Sequence, residues 1–115
     1  WMKRFTGQGD APAALDAVIA RDFARLRLLR EGEDARIVDW IASLTEAELA
    51  GRFTYVTLTD MRTISQRLAP ALAHLFNHQT HHRGQAHMIL TSLGKPSLGL
   101  DLTYFQRTPE GRAYA

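Results

Sequence analysis

His74-Leu75-Phe76-Asn77-His78-Gln79-Thr80-His81-His82-Arg83-Gly84-Gln85-Ala86-His87 contains every histidine of the chain. On a helix, residues four apart share a face, so His74, His78 and His82 form one stripe. At about 100° per residue, Leu75, Ala86, Ile89 and Leu93 fall close to that stripe. The imidazoles are therefore predicted to edge an apolar, core-facing arc, with His87 pointing away from His78. One turn rises about 5.4 Å, and imidazoles at i and i+4 can converge on one ion across it. His74 and His82 are about 12 Å apart along the axis, too far for bonds of about 2 Å to a common ion. The helix thus offers a pair, and His78 with His82 is the more central one. A histidine pair on a helix is more often incidental than ligating, but a buried ring needs a partner. A third ligand has to come from another element.

The run His74-Leu-Phe-Asn-His78-Gln-Thr-His81-His82-Arg-Gly-Gln85 resembles the signature helix of the DinB (damage-inducible) family of metal-binding four-helix bundles. The likeness is carried by Asn-His, two intervening residues, then His-His-Arg-Gly-Gln, and extends more loosely from about Thr54 to Tyr104. It implies that His78 and His82 bind a divalent metal together with a third histidine from an earlier helix. No histidine precedes His74. The resemblance therefore places the third ligand upstream of Trp1, roughly seven to ten residues before it by a two-turn helical spacing. Asp16 or Asp22 is the substitute, on a helix expected to face the histidines. Neutral imidazoles suit several metals; zinc or nickel ranks first, iron or manganese after them. His81 and Gln85 are candidates for hydrogen-bonded support of the ligands, and no catalytic residue is assigned.

At 115 residues the chain is one domain at most, near the small end for a self-sufficient core. The net charge of +2 is weak, and its basic residues, nearly all arginine, are scattered, which argues against nucleic acid. Without cysteine there is no disulfide, thiolate ligand or cysteine nucleophile. No stretch is long and apolar enough to span a membrane, and no signal peptide is visible. The expected location is the cytoplasm. No serine sits in a nucleophile elbow, and no phosphate-cradling loop appears.

Working outward, Trp1 to Phe5 reads as the end of a helix stopped near Gly7. Asp10 is expected to cap a long helix running to Leu44, with Pro12 in its first turn and Leu15, Ile19, Phe23, Leu26, Ile37, Ile41 and Leu44 at helical spacing. Trp40 reads as packing. Thr45-Glu46-Ala47-Glu48 is a capping box for about one turn. Phe53 to Leu58 and Met61 to Gln66 read as a small hairpin turning at Thr59-Asp60. Pro70 is cheap only in a first turn, so the last long helix is expected from Ala69 to Leu93, stopped by Gly94-Lys95-Pro96. Gly84 inside it suggests close approach of another helix. Asp101 is expected to cap a short helix, Leu102 to Gln106.

The fold class is all-α: an up-down four-helix bundle of DinB type with a small β-hairpin before the last long helix, the two long helices packed antiparallel. Two long helices leave a bundle incomplete. Residues 1–115 read as a single DinB-like domain lacking its first helix and most of its second, and a homodimer would cover the exposed faces. Two function classes remain. One is a divalent-metal-dependent enzyme of the transferase or hydrolase class, acting on a small molecule and, by the resemblance, on a low-molecular-weight thiol. The other is a non-catalytic, metal-stabilised stress-response bundle acting through self-association.

Overall fold

A computed structural model describes residues 1–115. The chain is mostly helical: α1 (Met2–Thr6), α2 (Phe23–Ser43), α3 (Glu46–Ala50), α4 (Leu68–Ser92) and α5 (Leu102–Phe105), with a 3-10 turn at Arg112–Tyr114. Strands β1 (Arg52–Val56) and β2 (Thr63–Arg67) form one antiparallel hairpin. The residues fall into two compact units, Trp1–Leu75 and Phe76–Ala115, divided within α4. No helix is long and apolar enough to cross a membrane.

The first unit is built on rings. Phe5 stacks on Trp40 (centroids 5.1 Å apart) and tilts against Phe53 (4.9 Å), while Phe53 stacks on Tyr55 (5.4 Å) and Trp1 on Phe5 (5.5 Å). Arg4 lies over the faces of Trp1 and Tyr55, at 4.8 and 5.0 Å, where the ring quadrupole attracts a cation. Alternation in the hairpin puts Phe53 and Tyr55 on its half-buried face and Arg52, Thr54 and Val56 on the exposed one. The buried hydrophobic residues are few: Met2, Leu68, Ala71, Leu72 and Leu75. Trp40 packs, in keeping with its place in the sequence.

Loop 7–10 is tied to α2 by Arg36, whose Nη2 donates to Gln8 O (2.7 Å) and Thr6 Oγ1 (3.2 Å). Gly9 is favoured there by its backbone, and a side chain would also displace the Arg36 guanidinium. Its φ is +81°, and a Cβ would come within 2.8 Å of Arg36 Nη1.

The expected helix from Ala11 begins only at Phe23. Asp22 is the cap in place of Asp10: it is extended (φ −133°, ψ 158°), and its carboxylate accepts from Arg25 N at 2.8 Å. Upstream, Leu15 and Val18 are 76% and 81% exposed. An amphipathic stretch with nothing to bury its apolar stripe does not recover the cost of helix formation. Asp16 lies in a turn of this segment rather than on a helix.

Elsewhere the local signals act where the sequence puts them. The capping box forms in both directions, Glu48 N donating to Thr45 Oγ1 and Thr45 N to Glu48 Oε2. The hairpin turn is closed by Thr57 N to Arg62 O and Arg62 N to Thr57 Oγ1, both 2.9 Å. β2 ends one residue later than expected, and α4 follows directly from Leu68, with Pro70 in its first turn.

In the second unit, α4 ends in a Schellman motif: Gly94 (φ +74°) donates to Thr91 O, and Lys95 N to Leu90 O, at 3.0 Å each. Asp101 precedes α5 but contributes its backbone carbonyl, accepting from Tyr104 N and Phe105 N; its side chain makes no cap bond. A Cβ at Gly111 would lie 1.9 Å from Phe105 O, so only glycine closes the chain against that carbonyl.

The apolar arc expected along the whole of α4 is buried only as far as Leu75; Ile89 and Leu93 are 54% and 68% exposed. Gly84 has open space where a Cβ would stand, so no close helix approach explains it. The corrected statement is a largely helical chain with one small hairpin, whose long helices carry exposed apolar faces.

Candidate metal centre

Four of the five histidines lie on α4 within the second unit. His78 and His82, one turn apart, bring their Nε2 atoms to 3.1 Å, with ring centroids 4.5 Å apart and planes nearly perpendicular. Gln85, three residues further along the same helix, meets the other nitrogen of His82, Oε1 to Nδ1 at 2.8 Å. An amide oxygen only accepts, so the proton of His82 sits on Nδ1. Its Nε2 is the lone-pair nitrogen, directed at His78. A hydrogen bond to the far nitrogen is how proteins fix the tautomer and orientation of a ligating imidazole.

His81 stands beside the pair, its ring centroid 6.2 Å from that of His78 and 5.2 Å from that of His82. His87 is engaged elsewhere. Leu98 N donates to its Nε2 at 3.2 Å, and Ser97 Oγ lies 3.1 Å from the same nitrogen. That lone pair is occupied in holding the segment after α4. His74, in the first unit, tilts against Trp1 with centroids 5.3 Å apart.

The spacing of the pair suits a metal ion. Two bonds of about 2.0–2.1 Å each can meet across a 3.1 Å gap. The donor set is a pair only: no three His, Cys, Asp or Glu side chains come together anywhere in the chain. Asp22 Oδ1 accepts the cap bond of α2. Both histidines are exposed rather than buried on a core-facing arc, because the apolar side chains beyond Leu75 have no cover.

A sequence profile of the DinB family matches residues 1–112. The chain belongs to the DinB family. The matched region spans both compact units and takes in the whole histidine run. No curated protein sequence matches the chain, and no solved structure does.

What the sequence pattern missed in this family member is the ring cluster of the first unit. Trp1, Phe5, Trp40, Phe53 and Tyr55 are spread over 55 positions and meet only through tertiary contacts. Their one legible trace was the aromatic alternation Phe53-Thr54-Tyr55.

Proposed function

We propose that this DinB-family protein binds a divalent metal through His78 and His82 and uses it as an enzyme of the thiol-dependent transferase or hydrolase class. The observation that carries the reading is the facing pair of Nε2 atoms, with Gln85 on the far nitrogen of His82. A three-histidine site of this kind supplies a Lewis acid with an open coordination position, suited to a water or a thiol of lowered pKa. In the proposal the third ligand is a histidine outside residues 1–115, and the bundle is completed by helices outside them. His78 and His82 bind, Gln85 orients His82, and His81 stands where it can hydrogen-bond a bound group. Zinc or nickel fits the donors best, ahead of iron and manganese. The substrate is a small molecule, with a low-molecular-weight thiol as the family-based choice, in the cytoplasm.

The test is titration of zinc and of nickel into protein purified without a nickel column, followed by a screen of the loaded protein against thiol cofactors. His78→Ala and His82→Ala should each lower affinity by orders of magnitude while His87→Ala leaves it unchanged. Equal losses from all three would make the metal adventitious and end the reading.

A second reading is favoured by one observation. Met88, Ile89, Leu93, Leu98 and Leu102 are all exposed in the second unit, and removing such apolar side chains from water favours association. On this reading the protein is a non-catalytic, metal-stabilised bundle that self-associates as a homodimer. Sedimentation that shows a dimer, with no turnover of any thiol by loaded protein, would favour it over the first.

A further inference from the structure

Beyond the Gly94 stop and the Lys95 bond that completes it, segment 96–100 turns back to α4 and is fastened there at one side chain. Leu98 N donates to His87 Nε2 at 3.2 Å, and Ser97 Oγ lies 3.1 Å from the same nitrogen. From residue 80 to residue 105, His87 is the only residue that is not exposed. No buried apolar anchor accompanies these bonds, since Leu98 and Leu100 are 58% and 49% exposed. His87 and segment 96–100 belong to the second unit. The bonds of the His78–His82 pair do not include His87.

A ring nitrogen that accepts from a backbone amide carries no proton, so the Leu98 bond requires a neutral His87 with its proton on Nδ1. A second proton goes on Nε2. There it opposes the Leu98 N–H, donor against donor, while Ser97 Oγ turns to accept it. Protonation therefore removes the backbone bond that ties segment 96–100 to α4. The neighbouring charges do not replace it. Arg83, one turn earlier on α4, donates to Thr80 Oγ1 at 2.8 Å. Lys95 and Asp101 stand at the two ends of the segment, and no ion pair of the chain includes a histidine. Tyr104 of α5, whose ring lies against Gly99, is a phenol that does not titrate with imidazoles. We infer that segment 96–100 is a pH-gated strap, closed on α4 while His87 is neutral and released when its imidazole takes up a second proton. Because the closed form needs the neutral ring, its stability is present above the imidazole titration, which falls between about pH 5 and 8, and is lost as pH falls through it.

Amide exchange at Leu98, taken as a protection factor against the intrinsic rate at each pH, tests this together with the nitrogen chemical shifts of the His87 ring. Protection should fall about two- to tenfold between about pH 8 and about pH 5, the scale of one lost hydrogen bond. The fall should run in step with protonation of His87 Nε2. His87→Gln, whose amide does not titrate, should lose the pH dependence. His87→Ala should remove the protection at every pH. Ser97→Ala should keep the pH dependence, because the Leu98 bond remains. Protection at Leu98 that is constant across the imidazole titration, or that falls equally in His87→Gln, would overturn the proposal. So would ring shifts that place the proton of neutral His87 on Nε2, a measurement that needs no variant.

Discussion

Gln85 Oε1 lies 2.8 Å from Nδ1 of His82, and this one bond decides which nitrogen of His82 faces His78. The three side chains occupy successive positions of one helical stripe on α4. Removing Gln85 frees the imidazole to change tautomer and to turn. Gln85→Ala should therefore weaken zinc binding by roughly 10–100-fold, the usual cost of losing such an outer partner. Gln85→Glu should restore it, since a carboxylate accepts the same Nδ1–H. Competition against a zinc chelator measures both, and an unchanged affinity in Gln85→Ala would remove Gln85 from the site.

Core truncations should separate the buried and exposed parts of α4. Leu72 is 7% exposed, whereas Ile89 has half its surface open. Leu72→Ala should cost about 2–5 kcal/mol. Ile89→Ala should change stability by no more than about 0.5 kcal/mol, as at an ordinary surface position. Urea denaturation gives both numbers. A large loss at Ile89 would mean that its face is covered in solution.

Gly84 offers a companion measurement. It lies in the interior of α4 with nothing near the position of a Cβ. Gly84→Ala should stabilise the chain by about 0.5–1 kcal/mol through helix propensity. A loss of stability would show a second helix seated against that position.

The capping box gives a pH-dependent element. Hydrogen bonds from the backbone and the side chain of Thr45 hold the Glu48 carboxyl below the usual glutamate range. A lowered folded-state pKa contributes stability above the unfolded value, and that contribution is lost as pH falls through the folded one. Protection factors for amide exchange at Leu49 and Gly51, taken against the intrinsic rate at each pH, should therefore fall on acidification within the acid range. Thr45→Ala should raise the Glu48 pKa, and the fall in protection should then set in at a higher pH. Carbon chemical shifts of the Glu48 carboxyl follow the titration directly.

Elements whose stabilising partners are close in sequence were legible without coordinates. The Thr45–Glu48 box, the Gly94 stop, the Pro70 start and the His78–His82 pairing each need only a few residues and a helical or capped geometry. The start of α2 was not legible in the same way. Leu15, Ile19, Phe23 and Leu26 have helical spacing, yet only the part after Asp22 is a helix. Periodicity records which side chains would share a face; it carries no information on whether another element covers that face.

The sequence by itself determined the family, the largely helical chain with one hairpin, and the two imidazoles one turn apart, because local geometry and side-chain spacing suffice for these. Only the tertiary structure decided that α4 is buried no further than Leu75, that distant rings gather around Phe5, and that the chain after α4 turns back to His87. Each of these depends on which surfaces meet, and the free energy of burial belongs to a pair of surfaces rather than to either sequence segment alone.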